Sequence, residues 1–231
     1  GALTVSTNSA TLTTQVVVDA ANTLTVNGPV LIGVDAAAAT TLFTATGGGS
    51  FVQNQDGGTF QVGGGTGTTN TNAVTADFSG LANFTADLGM TGVFRVGDSN
   101  TNGSGGPNTD PVLTLAGTSN TITTGILGIG DAQGQGGTAT LELGGGTNVI
   151  NADTVYIGAT SPAARGSGAL VFDGATGTLT LRGSAGGTSR ANVAMTTLSS
   201  ATGFNQTNSF LTAGHSVDLR IDQFVLSERN A

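Results

Sequence analysis

One stretch of this chain is written twice, and a third time in looser form. Leu113-Thr114-Leu115, Asn120-Thr121-Ile122 and Ile129-Gly130-Asp131 return as Leu141-Glu142-Leu143, Asn148-Val149-Ile150 and Ile157-Gly158. Leu113/Leu141, Ile122/Ile150 and Gly130/Gly158 share one offset, and Leu170 follows Leu141 at one residue more. A fixed period of this size marks a stack of similar units, none of which can bury its apolar side alone.

Within a unit the apolar residues recur every second position: Leu3/Val5, Leu24/Val26, Phe60/Val62, Leu113/Leu115, Leu141/Leu143, Leu179/Leu181 and Leu219/Ile221. That parity is the mark of a strand with one buried face. Gly, Asn, Ser, Asp and Thr separate the runs and supply turns. A second recurring element is a strand followed by a tight turn: Phe94-Arg95-Val96-Gly97-Asp98, Leu127-Gly128-Ile129-Gly130-Asp131 and Phe224-Val225-Leu226-Ser227-Glu228, with Val30-Leu31-Ile32-Gly33-Val34-Asp35 as an early version. The best helical run, Asp35 to Thr40, is short and has no amphipathic period, so it reads as a loop.

Several short strands per repeat describe one coil of a β-helix. The expected fold is all-β, a right-handed parallel β-helix (β-solenoid) with coils of about 28 residues. It forms a single domain over 1–231, with clear repeats over about 75–190 and degenerate ends. At the interstrand spacing of roughly 4.8 Å, about eight coils make a rod on the order of 40 Å long. Leu, Ile, Val and Phe would point inward, and Thr, Asn and Ser outward in ladders. An antiparallel sandwich would leave the recurrence unexplained.

Phe78-Ser79-Gly80-Leu81-Ala82-Asn83-Phe84, Phe94-Arg95-Val96-Gly97-Asp98, Leu127-Gly128-Ile129-Gly130-Asp131, Asn148 to Gly158 and Leu181-Arg182-Gly183-Ser184 together resemble a known pattern. They are similar to the autotransporter-like β-strand repeats of large secreted proteins from Verrucomicrobia and Planctomycetes. The resemblance implies a parallel β-helix at the cell surface and brings no catalytic residue with it.

Composition narrows the function classes. Only 9% of residues are charged, and the net charge is −8. All six basic residues are arginines: Arg95, Arg165, Arg182, Arg190, Arg220 and Arg229. No basic patch is present to hold nucleic acid or an anionic membrane. The absence of Cys removes disulfides, thiolate metal sites and cysteine nucleophiles. No apolar run is long enough for a membrane-spanning helix, and the start lacks the pattern of a signal peptide. The lysine-free, weakly charged composition fits an extracellular or cell-surface location.

Enzyme chemistry finds little to build on, and no catalytic residue is assigned. Glycoside hydrolysis needs two carboxylates across a cleft, whereas the acids here are scattered singly and read as caps on turns. The lone His215 lies in Gly214-His215-Ser216 without a nucleophile elbow. Gly47-Gly48-Gly49, Gly63-Gly64-Gly65 and Gly144-Gly145-Gly146 lack the Lys-Ser/Thr of a phosphate loop and read as turns between coils. Calcium is the one cofactor to consider: Asp98, Asn100, Asp110 and Asp131 sit in oxygen-rich loops. With one Tyr and no Trp, a platform for stacking cell-surface polysaccharide is hard to build.

The ends suggest a function. Solenoids protect their terminal coils with polar or helical caps. This sequence enters on an alternating strand at Leu3 and leaves on Val217 to Leu226, which reads as the start of another repeat. Open coil edges are templates for pairing. The expected partner is a second copy, head to tail, through Leu3, Val5, Leu219, Ile221, Phe224 and Leu226. Such stacking makes a fibre, sheath or surface layer. The alternative is an adhesin or surface-binding module of a larger protein, and a polysaccharide-active enzyme ranks below both.

Overall fold

The computed structural model describes residues 1–6, 11–34, 40–64, 73–97, 110–130, 137–158, 166–197 and 206–228. The first strand, β1 (Leu3–Val5), stands alone. Groups of three follow: β2 (Leu12–Val17), β3 (Thr23–Val26) and β4 (Val30–Ile32); β5 (Thr41–Thr46), β6 (Ser50–Asn54) and β7 (Thr59–Val62); β8 (Val74–Asp77), β9 (Asn83–Asp87) and β10 (Val93–Val96). The second and third strands then merge, giving β11 (Val112–Thr114) with β12 (Ser119–Ile129), and β13 (Thr138–Leu143) with β14 (Thr147–Gly158). Next come β15 (Ser167–Phe172), β16 (Thr178–Arg182) and β17 (Ala191–Thr197), then β18 (Ser209–Phe210), β19 (Ser216–Leu219) and β20 (Ile221–Glu228). No helix occurs among the described residues.

Each strand pairs in parallel with its counterpart one turn away, and the whole is a parallel β-solenoid of about 6 turns roughly 31 residues apart. One face is the seven-stranded sheet β2-β5-β8-β11-β13-β15-β18. A second face runs through β3, β6, β9, the first halves of β12 and β14, β16 and β19. A third runs through β1, β4, β7, β10, the second halves of β12 and β14, β17 and β20. The repeated motif lies in register: Leu113 pairs with Leu141, Ile122 with Ile150 and Ile129 with Ile157. The turns are fewer than eight because the period is longer outside this window; Asn83 bonds Ser50 across 33 residues and Ser184 bonds Asp153 across 31. The added length enters at corners, where loop residues cost little entropy, so strand register is kept.

Parity decides which side chains are buried. In the first face Phe43, Ala76, Leu113, Leu141 and Leu170 form one inward column. Large and small residues alternate at its start, and the buried ring of Phe78 lies 5.4 Å from that of Phe43 between centroids. Phe51, Phe60, Phe84 and Phe94 continue this cluster, with Phe60 and Phe94 stacked at 4.5 Å and an interplanar angle of 2°. Further along, the core becomes aliphatic, through Ile122, Leu127, Ile150 and Ile157.

The inward columns also carry amides. Phe84 pairs with Asn120 and Asn120 with Asn148, and both asparagines are buried. Asn120 Nδ2 donates to Asn148 Oδ1 (2.8 Å) and to Ala116 O (2.8 Å). Asn148 Nδ2 donates to Gly144 O (2.9 Å) and Thr178 O (3.0 Å), while its Oδ1 also accepts from Gly144 N (3.1 Å). Here the corner backbone turns away from the ladder and side-chain amides satisfy it.

The strand-and-turn motif marks the end of the third face. Gly33, Gly63, Gly97, Gly130 and Gly158 all have positive φ, from 66° to 116°. Each of the first four donates its N–H to the coil before, as Gly130 does to Val96 O (2.9 Å). A Cβ on Gly130 would also run into the Ser167 carbonyl. Gly130→Ala is therefore expected to destabilise by about 2–4 kcal/mol, combining backbone strain and overpacking. Urea denaturation followed by far-UV circular dichroism measures the change. A loss under about 0.5 kcal/mol, the scatter of ordinary surface substitutions, would refute this reading of the corner.

Candidate self-association edges

The six residues expected at the ends are the terminal members of inward columns. Leu3 pairs with Val30, and the column continues through Phe60, Phe94, Leu127, Val155 and Val193 to Phe224. Val5 begins the parallel column that runs through Ile32, Val62, Val96, Ile129, Ile157 and Met195 to Leu226. Members inside the stack are buried as far as Val193 and Ile157, Met195 is half-buried, and Phe224 is 48% and Leu226 68% exposed. Leu219, paired with Leu181, is 37% exposed, and Ile221 is half-buried against Ala191. Asp222 is the extra residue of a bulge between Ile221 and Gln223, which restores the inward parity of Phe224.

Residues 217–226 are the second and third strands of the last coil, not the start of another repeat. The corner between them is at Arg220, whose N–H reaches Leu181 O (3.0 Å). The first strand of that coil is β18, and Phe210 pairs with Leu170. Sequence parity overlooked Phe210 because β18 is only two residues long and shows no alternation; its position opposite Leu170 is the only signal. Arg182 locks this coil to the one before. Its guanidinium forms an ion pair with Asp218 and donates to the Leu181, Gly187 and Asp218 carbonyls.

The edges differ in outline. At one end β18, β19 and β20 finish the three faces. At the other, β2 and β3 are edge strands, while β1 pairs with β4 and so projects one strand beyond them.

The other expected sites resolve into local roles. Asp98, Asn100 and Asp131 lie outside the described residues. Asp110 Oδ1 accepts from Thr138 N (2.7 Å) and so caps the next coil. Asp77 caps Ser79 N (2.8 Å), and Asp153 accepts from both Ser184 N (2.9 Å) and its hydroxyl (2.8 Å). His215 lies flat on Phe172, 3.8 Å between centroids and 4° apart. Gly47 and Gly48 turn the chain between β5 and β6, and Gly144 to Gly146 between β13 and β14. These two runs therefore sit within coils rather than between them, whereas Gly63 follows the last strand of its coil. Among the described residues no three His, Asp or Glu side chains gather to hold a metal ion, and no helix is long and apolar enough to cross a membrane. No family model matches the chain, and neither a curated protein nor a solved structure does.

Proposed function

We propose that this chain is an extracellular structural β-solenoid that self-associates end to end into a fibre, sheath or surface layer. The observation that supports it is the exposure of Phe224 and Leu226 at the end of columns whose middle members are buried. Burying two such side chains is worth roughly 1.5–3 kcal/mol each. Leu3 and Val5 head the same two columns, so β1 of a second copy on β20 continues both in parallel register. Repetition of a contact that does not close gives a filament. Electron microscopy and analytical ultracentrifugation test this. The wild-type chain is expected to form rods that lengthen with concentration. The double substitution Phe224→Arg and Leu226→Arg should abolish them while leaving the circular dichroism spectrum unchanged. Monodisperse wild-type monomers at millimolar concentration would reject the proposal.

A second reading is a surface-binding module within a longer β-helical polypeptide. The projecting β1 favours it. A copy docked with β1 on β20 leaves one layer of the first and second faces unfilled, whereas chain continuing in either direction would supply both strands. The mass of the native polypeptide separates the two.

A further inference from the structure

The outer side of the second face carries two ranks of small polar and β-branched side chains. Ser50, Asn83, Ser119, Thr147 and Thr178 stand in register in one rank. Val52, Thr85, Thr121, Val149 and Thr180 form the second, two residues along each strand. All ten are exposed or half-buried, while the residues between them (Phe51, Phe84, Asn120, Asn148 and Leu179) point inward and are buried. Neither rank contains a charge over these five strands. Charge bounds the two ranks on the same face, with Asp87 two residues beyond Thr85 and Asp218 beside Thr180 in the next coil. On the other faces Asp77 and Glu142 stand on the outside of the first, and Arg95 and Tyr156 on the outside of the third.

We propose that this face binds ice. The ranks repeat at roughly 4.8 Å along the stack, the interstrand spacing, and lie roughly 6.6–6.8 Å apart across it, two residues of strand. Those two repeats approximate the rectangular net of oxygens on a prism plane of hexagonal ice. Every position of the second rank is Thr or Val, each with a γ-methyl group and a χ1 stiffened by β-branching. Methyl groups and, at the threonines, hydroxyls are thereby held in a nearly fixed array before water arrives. The water layer over them is then ordered at little further entropic cost. Asn83 Nδ2 donates to Ser50 Oγ (3.0 Å), which holds one position of the first rank in place. Side chains that bind their own hydration shells tightly would break the net, and the two ranks lack them. The match needs a flat face, which stacked parallel strands with ladders of like side chains favour.

The experiment is nanolitre osmometry on the purified chain, with ice-crystal shape recorded during cooling. The wild type is expected to facet single crystals and to open a gap between melting and freezing points. Thr121→Tyr, in the centre of the face, should remove both effects. Tyrosine suits a strand, and the circular dichroism spectrum reports that the fold is kept. Thr140→Tyr, on the outside of the first face, should leave both effects intact. Round, unshaped crystals in wild-type protein would overturn the proposal. So would equal loss in the two variants, or retention on crystalline cellulose or chitin with no effect on ice growth, which would assign the face to a glycan instead.

Discussion

Phe84→Ala is expected to lower the stability of this chain by about 3–5 kcal/mol, the range for removing a fully buried aromatic ring. Phe84 has no exposed surface and touches rings from its own coil and from the coil before. Its centroid lies 5.1 Å from Phe78, 5.3 Å from Phe51, 5.5 Å from Phe60 and 6.3 Å from Phe94. The site is poorly able to collapse after truncation. β9 is held on one side by β6 and on the other by β12, each in continuous parallel register, so neither backbone can move in to fill the void. The upper part of the range is therefore expected. Chemical denaturation gives the magnitude, and hydrogen exchange gives the location. In a stack whose units contact only their neighbours, protection should fall around β6, β9 and β12 and persist in β16 and β17. Phe210→Ala, at the half-buried end of the first face, is the internal comparison and should cost less than half as much. Equal losses at the two positions would contradict this description of the core.

Asn148→Leu should cost a similar amount, about 3–5 kcal/mol, although leucine has the same number of side-chain heavy atoms and is far more apolar. The substitution leaves the Gly144 N–H, the Gly144 and Thr178 carbonyls and the Asn120 amide without their partner. Each buried group so orphaned costs about 1–3 kcal/mol, with partial relief from relaxation and entering water. Asn120→Leu should be milder. Asn120 donates to Ala116 O and Asn148 Oδ1, but its own Oδ1 has no partner. Combining the two should cost less than the sum of the single losses, because the Asn120–Asn148 bond can be lost only once. Additive losses in the double-mutant cycle would argue that the two amides act independently.

These asparagines show where sequence reading succeeds and where it stops. Parity placed Leu141, Ile150 and Ile157 inside correctly, since burial of apolar side chains is the strongest local constraint on a strand. It also aligned coils wherever the offset stayed constant, as from Leu113 to Leu141. Asn120 and Asn148 recur at that same offset, yet recurrence alone does not reveal direction. Their inward position follows from carbonyls at a corner whose path is set by contacts between coils. The aromatic cluster was hidden for another reason. The step from Phe51 to Phe84 is one residue shorter than that from Phe60 to Phe94, and both exceed the step from Leu113 to Leu141, so no single period brings these rings together. Asp77 was legible as a turn cap, because a short carboxylate next to a turn meets the amide two residues on. Asp110 and Asp153 instead accept from Thr138 and Ser184 one coil further along, partners that local sequence does not reveal. Leu3 and Val5 were legible from alternation, but the corner at Arg220 and the bulge at Asp222 put Phe224 and Leu226 out of step with Leu219 and Ile221, and at Phe210 the strand is too short to alternate.

The pairing of each inner strand with the coils before and after it has a mechanical consequence. Among the described residues the strand ladders bond along the stacking direction, so a pull on the two ends loads them one row at a time, as in peeling. Such a rod should yield at low force in a series of similar steps, each releasing about one coil of chain. A sideways load meets the covalent backbone instead, which winds around the axis and is stiff. The molecule is thus weak in tension along its length and strong against being crushed.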